Sequence, residues 1–351
     1  MERLVRSCYK QGGYVFARKA GDLAQEEGTT CIARLASNEN PVPPSPSVLA
    51  AARQALATVN RYPDERVDVL TRALTKFYGD YHFVTGVGMD VVIETLMRTL
   101  VEPGETVAIS TPTFSFYGLA AQAQGAQVIT VPREKDFSVN ADTLVREGRN
   151  AKITVLCTPN NPTGNATPLE TVAHVLEGVR GIVFLDNAYV EFADTDYLPL
   201  MRKYDNLVIG RTFSKVHSLA GLRIGYAFVP AWLVPYYQRA GTPFTLNSVS
   251  AAAAAAALED TEHAVDYIKQ VLRWRARFTA ELKFPVLPSD ANFVMVDVAP
   301  HTSDEVVENL ARKGVLVRSC RSFSGLPDHY IRVSIGDDWE NEMFLVGINS
   351  L

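Results

Sequence analysis

The chain has few cysteines, and they are scattered. Four in 351 residues, at 8, 31, 157 and 320, form no Cys-x-x-Cys pair and have no histidine at ligand spacing. Neither a zinc site nor a disulfide framework is expected, and the thiols read as reduced. The six histidines (82, 174, 217, 263, 301 and 329) contain no His-Glu-x-x-His pattern and no close pair, so each reads as a surface or packing residue rather than a metal ligand. No stretch approaches the ~20 apolar residues needed to span a bilayer. Residues 1–10 mix charge with small and polar side chains, unlike an export signal. An excess of positive charge is also missing: 34 Lys and Arg stand against 39 Asp and Glu, a formal net charge of −5, which leaves no overall basic field to hold nucleic acid or an anionic membrane. These absences predict a cytoplasmic protein whose partners are small molecules, with no metal, nucleic acid or membrane among them.

What is present is a large apolar content, 47%, enough to bury a sizeable core. Helical patterns over 47–58, 67–78 and 89–100 alternate with short β-branched runs at 106–110, 127–131, 153–157, 182–185, 207–210 and 225–229. That rhythm predicts an α/β fold, a mostly parallel central sheet flanked by helices, because parallel strands need crossover connections and are buried on both faces. The rhythm changes around 230–243. A helical stretch over 247–283 then leads to strands at 292–298, 315–318 and 330–335, the pattern of a smaller α+β domain. Seven consecutive alanines, 251–257, suit close helix packing. The expected division is an N-terminal arm (1–35), a large domain (36–240) and a small C-terminal domain (241–351).

Four segments fall at the C-terminal ends of expected strands, where ligands collect in open α/β sheets. Gly86-Val87-Gly88-Met89-Asp90 opens a helix whose free N–H groups suit a phosphate, although the same residues also suit a plain tight turn. A dinucleotide site would want a third glycine where Val91 stands. Asn160-Asn161-Pro162-Thr163-Gly164 is a turn stiffened by proline that fixes one amide in space. Asp186-Asn187-Ala188-Tyr189 ends a buried run with a carboxylate that needs a cation or hydrogen bonds, or that caps a helix. Thr212-Phe213-Ser214-Lys215, with Arg223 eight residues beyond the lysine, joins a candidate amine nucleophile to phosphate donors; alone, such a lysine is an ordinary surface residue.

Taken together, these segments resemble the fold-type I aminotransferases that use pyridoxal phosphate, in the order Leu35-Ala36-Ser37-Asn38-Glu39-Asn40-Pro41, Arg61-Tyr62-Pro63-Asp64, Asn161-Pro162-Thr163-Gly164, Asp186-x-x-Tyr189, Ser214-Lys215 and Gly221-Leu222-Arg223-Ile224-Gly225. The resemblance covers nearly the whole chain. It implies that the large domain binds pyridoxal phosphate, with Lys215 forming the Schiff base and moving protons, Asp186 pairing with the pyridine nitrogen, and Tyr189 and Asn161 holding the phenolate oxygen. It further implies that Phe114 stacks on the ring and that Arg223, Ser214, Thr212 and the helix start at Met89 and Asp90 hold the phosphate. Tyr62 would reach the phosphate in a neighbouring subunit, which implies a homodimer with shared sites. Arg332 would grip the substrate's anionic group, helped by Arg318, Asn38 and the arm around Tyr14, which covers the site.

Within that family the pattern looks like the branch that acts on histidinol phosphate, which implies exchange of an amino group between histidinol phosphate and 2-oxoglutarate. The departures flank the site: Val91 where an acidic residue is usual, Asn187 in place of Glu, and Pro43 where Gly is frequent. Other readings are an aminotransferase of aromatic amino acids, a decarboxylase of a phosphorylated amino acid, and a non-catalytic regulator that binds the same cofactor. The regulator would carry an additional DNA-binding domain, for which about thirty-five residues ahead of Leu35 are too few.

Overall fold

The computed structural model describes residues 2–10, 13–28 and 31–351. The expected arm therefore includes Met1, Gln11, Gly12, Thr29 and Thr30, which lie outside the described residues. In chain order the strands are β1 (Ala33–Arg34), β2 (His82–Val87), β3 (Thr106–Thr111), β4 (Gln127–Pro132), β5 (Ile153–Cys157), β6 (Ile182–Asp186), β7 (Leu207–Thr212), β8 (Ile224–Val229), β9 (Phe293–Asp297), β10 (Val315–Leu316), β11 (Arg318–Ser319) and β12 (Tyr330–Ser334).

Seven of them form one sheet in the order β2-β8-β7-β6-β5-β3-β4. From β4 through β7 all neighbours are parallel, while β8 runs antiparallel to both β2 and β7. Every residue of β5, β6, β7 and β8 is buried. Such fully buried, mostly apolar runs are what a strand with helices on both faces requires. The chain goes from β3 outward to β4 and then returns to place β5 on the other side of β3, so the direction of winding reverses there. The crevice outside the strand ends at such a reversal is where a ligand fits. The turns after β3, β5, β6 and β7 all open on it.

Local chemistry sets the helix starts. Asn140 accepts from the Thr143 amide at 2.8 Å, and Asn247 accepts from the Ser250 amide at 2.8 Å, each satisfying an N–H that the helix itself cannot. The helical stretch expected over 247–283 is two helices, Ser248–Glu259 and Thr261–Glu281. Asp260 ends the first in a non-helical conformation and caps the second, accepting from the His263 amide at 3.4 Å. The alanines matter for the first: Ala251, Ala253, Ala254 and Ala257 are buried in the same apolar cluster as Leu70, Leu74 and Leu185. This helix thus lies against helices Pro46–Leu56 and Asp68–Tyr78 of the large sheet's layer, although a division at 240 places it in the smaller part.

The remaining strands lie outside the large sheet. β11, β12 and β9 form an antiparallel sheet, and β1 pairs with β10 in parallel. The single strand expected over 315–318 is split between these two sheets: Val315 and Leu316 pair with Ala33 and Arg34, and Arg318 pairs with Arg332. Both arginines are thereby brought side by side on neighbouring strands. The apolar cluster under them includes Leu35, Val296, Ile331 and Phe344, joined by Tyr189 and Val216 from the segments that carry Asp186 and Lys215.

Candidate active site

A cavity of about 250 Å³ lies at the strand ends and is lined by Lys215, Asp186, Tyr189, Asn161, Arg223 and Arg332. Met89, Asp90, Phe114, Thr212, Ser214, Arg318, Tyr14 and Asn38 also line it. Of the residues singled out in the sequence, Tyr62 alone is elsewhere: it is 83% exposed and stacks on Phe244 with ring centres 4.8 Å apart.

β6 delivers Asp186 to the cavity floor at 4% exposure. Its Oδ1 accepts from the Ala188 amide at 2.9 Å and its Oδ2 from the Tyr117 hydroxyl at 2.7 Å. Burial pushes its carboxyl up to about 6, against the pull of those two donors. A carboxylate held this way is electrostatically incomplete and favours a positive group opposite. Lys215, past the end of β7, is half-buried and opens to the cavity; its Nζ donates to the Ser37 carbonyl at 3.3 Å and lies 5.5 Å from the centre of the Tyr189 ring. Desolvation, with the positive charge of Arg332 second, pulls the amine down to about 8, so an uncharged fraction is available near neutral pH.

One end of the cavity gathers groups of the kind that suit a phosphate. Helix Gly88–Leu100 points its N-terminus there, and the first amides of a helix have no partner within it. Gly88 has φ +70°, and a Cβ there would come within 2.5 Å of Arg223 Nη2. Gly225 likewise lets β8 approach the Gly88 carbonyl. Only glycines at these two points let the arginine and the helix start converge. Arg223 also donates to Asp90 Oδ2 at 2.8 Å, a partner the sequence reading did not anticipate because it assigned Asp90 through its amide alone. Thr212 Oγ1 accepts from the Ser214 amide at 3.0 Å and donates to the Ile224 carbonyl at 3.2 Å, which pins the turn before Lys215.

The other end presents guanidinium groups. Arg332, 6% exposed, donates through Nη1 to Asn161 Oδ1 at 2.5 Å and through Nη2 to the Ala36 carbonyl at 2.7 Å, while its Nε has no partner among the described residues. Arg318 donates to the Val15 carbonyl and to Ser322 Oγ, tying the arm to β11. Asn38, at φ 53°, donates to the Tyr189 hydroxyl at 3.2 Å and accepts from Ser334 Oγ at 3.0 Å. Burial raises the Tyr189 phenol above its ordinary range, so it stays protonated and able to donate. Phe114 meets Tyr14 edge to face at 5.8 Å. Asn187, the departure beside Asp186, donates to the Thr158 carbonyl at 2.7 Å and so ties two strand-end turns together. Among the described residues no group of histidine, cysteine or acidic side chains could hold a metal ion.

A family model described as aminotransferase class I and II matches residues 31–348. The chain belongs to that aminotransferase family. Among its relatives, the histidinol-phosphate aminotransferase of Methanoculleus marisnigri is 63% identical, with 100% of both chains covered. That of Methanocorpusculum labreanum is 54% identical, again over 100% of each. The crystal structure of histidinol-phosphate aminotransferase from Sinorhizobium meliloti in complex with pyridoxal-5'-phosphate superposes with a TM-score of 0.88 at 27% identity, covering 99% of this chain and 96% of that one.

The donors of this aminotransferase suit pyridoxal phosphate: a buried carboxylate in want of a cation, a lysine with a depressed basicity, and a helix start converging with an arginine on one cradle. Tyr117, Cys157 and Phe16 also reach the cavity but were not singled out in the sequence. For Tyr117 a signal existed, since it follows Phe114 by three residues, the spacing that keeps two side chains on one side of a helical turn. Cys157 could have been found from the strand pattern, because it ends β5 directly opposite Asp186.

Proposed function

We propose that this enzyme is a pyridoxal-phosphate-dependent aminotransferase of histidine biosynthesis, exchanging an amino group between histidinol phosphate and 2-oxoglutarate to give imidazole-acetol phosphate and glutamate, with physiological flow in the opposite direction. The observation that carries the proposal is one cavity holding Lys215 and Asp186 between two cationic ends, in a chain 63% identical over its full length to a histidinol-phosphate aminotransferase.

When bound, the cofactor supplies an aldehyde that takes up amino groups and a ring that accepts electrons. Asp186 would hold the proton at the pyridine nitrogen, its carboxylate fixed by two donors. Asn161 has its oxygen engaged by Arg332, which orients the amide so that its N–H groups, with the Tyr189 hydroxyl, can bind the phenolate oxygen. Arg223 and the helix amides at Met89 and Asp90 would bind the phosphate, with the Ser214 and Thr212 hydroxyls beside them. Lys215 Nζ would take the proton from the substrate carbon that bears nitrogen and deliver it to C4′, the aldehyde-derived carbon of the cofactor, and would carry it the other way in the second half of the exchange. At the far end Arg332 and Arg318 offer adjacent guanidiniums, a pairing that can accept a phosphate or a carboxylate in turn. Tyr14 and Asn38 close that end and restrict access of water.

We further propose that the enzyme works in the cytoplasm as a homodimer, with Tyr62 completing the phosphate site of the partner subunit. Its high exposure and its distance from its own chain's cavity support this assignment. Among the described residues no helix is long and apolar enough to cross a membrane. The test is a panel of histidinol phosphate, phenylalanine and threonine phosphate, each with 2-oxoglutarate. Histidinol phosphate is expected to give the highest kcat/KM; a preference for phenylalanine would overturn the substrate assignment.

A further inference from the structure

Tyr117 has no part in the chemistry assigned so far, yet it is fully buried against the floor of the site. It sits in the first turn of helix Phe116–Ala123. Its ring meets Phe114 edge-on at 5.5 Å and Phe184 at 6.4 Å. Packing accounts for the ring but not for where the hydroxyl goes. That hydroxyl donates to Asp186 Oδ2 at 2.7 Å, while Ala188 N–H occupies Oδ1. The other ionisable groups that act on the carboxylate are Asp90, Lys215 and the Tyr189 phenol, with the Cys157 thiol beside both it and Tyr117. The thiol, pushed up to about 12 by burial, stays neutral, and the phenol lies well above its ordinary range, so Tyr117 remains a donor at every working pH.

We propose that Tyr117 is a positioning residue: by donating to Asp186 Oδ2 it holds the carboxylate in one orientation and keeps the shared proton on the pyridine nitrogen of the bound cofactor rather than on the carboxylate. A hydrogen bond to the charged form of an acid favours that form. A buried carboxylate oxygen stripped of its donor becomes a stronger base and draws the shared proton to itself. The ring then accepts electrons less well, although no residue in contact with the substrate has changed. This inference rests on the cofactor reading above.

The test uses holoenzyme loaded with pyridoxal phosphate labelled with nitrogen-15 in the ring. The nitrogen resonance and the single-turnover rate with histidinol phosphate are measured for wild type, Tyr117→Phe, Asp186→Asn and the double variant. In Tyr117→Phe the resonance is expected to move toward that of unprotonated pyridine and the rate to fall about tenfold, the scale of one charge-assisted hydrogen bond. In the Asp186→Asn background the same change should cost less than about twofold, because its route runs through the carboxylate. Difluorotyrosine at 117, a stronger donor of the same shape, should move the resonance the other way; it keeps the test available where Tyr117→Phe fails to fold. A resonance unmoved by either replacement, or an equal rate loss with Asp186→Asn present, overturns the inference. Wild-type enzyme that does not retain the labelled cofactor overturns the cofactor reading instead, so the two failures are distinguishable.

Discussion

The floor of the cavity and its mouth are built differently. On the floor, Asp186, Asn161 and Thr212 stand on or just past parallel strands, all below 9% exposure, and each has a side-chain oxygen held by a neighbour. At the mouth, Tyr14, Val15 and Phe16 are 41%, 55% and 80% exposed, held through Arg318 and a few ring contacts. The difference separates two tasks. Moving a proton between fixed atoms demands sub-ångström placement, which a hydrogen-bonded sheet provides. Accepting two substrates of different length demands a boundary that adjusts, which a loosely packed segment provides. Changes on the floor should therefore alter rate with any substrate, and changes at the mouth should alter the choice between substrates.

The largest effect that could break this contrast is at Lys215. Lys215→Ala should reduce amino transfer with both histidinol phosphate and glutamate by on the order of 10⁴-fold. The thermal midpoint should hold or rise, because a desolvated amine is removed from a site where it has one hydrogen bond at 3.3 Å. Steady-state rates with both donors and a melting curve check it. A loss confined to one donor would place Lys215 with the mouth rather than the floor.

Asp186 provides a pH signature. Its carboxyl titrates from about 6 in the folded protein and from about 3.8 when unfolded. Between these values the folded chain binds more protons, so this group's contribution to stability is complete below pH ~3.8 and is lost as pH rises through ~6. That interval corresponds to on the order of 3 kcal/mol. Cofactor-free wild type should therefore lose stability, relative to Asp186→Asn, between pH 4 and pH 6.5, as read by denaturant midpoints. Loading with pyridoxal phosphate, whose pyridine nitrogen would stand protonated opposite the carboxylate in the proposed site, should abolish the loss. Parallel profiles for the two proteins would show that the floor is not under this electrostatic load.

The same contrast marks how far the sequence could be read. Strands β5 to β8 were legible because burial on both faces demands mostly apolar runs, and the chemistry-bearing residues could be placed because they fall at or just past the ends of those runs. The break at Asp260 was not legible: helical periodicity continues on both sides, and an aspartate is common on helix surfaces as well as at caps. Nor was the split of 315–318, since two strands separated by one residue look like a single strand until their partners are known. The bond between Tyr117 and Asp186 joins residues 69 apart, and nothing local indicates which way a hydroxyl points. The salt bridge from Arg223 to Asp90 is hidden in the same way, across 133 positions.

Arg332 tests the border between floor and mouth. It belongs to the floor by burial and to the mouth by the group it would bind. A lysine there keeps the charge but cannot reproduce the two-pronged contact with Asn161 and Ala36. Arg332→Lys should lower kcat/KM by about 10- to 100-fold for both substrates. The KM change should be the larger part with glutamate, whose carboxylate lacks the third oxygen of a phosphate. If kcat alone falls, Arg332 acts by orienting Asn161 and not by gripping the substrate.

The smallest expected effect lies at Tyr14, where the contrast is sharpest because the residue touches both regions. Its ring meets Phe114 at 5.8 Å and Phe16 at 5.0 Å, while its hydroxyl lies near Arg318 without a hydrogen bond to any described residue. Tyr14→Phe keeps both ring contacts and removes one donor at the cationic end. A neutral donor to a phosphate oxygen is worth roughly 1 kcal/mol where water competes, so KM for histidinol phosphate should rise about fivefold. KM for glutamate, whose shorter chain would not reach the arm, should change less than twofold. Competition between the two donors in one assay reads the ratio directly. An equal change for both would mean that the arm excludes water without distinguishing substrates, and selection would then rest on Arg332 and Arg318 alone.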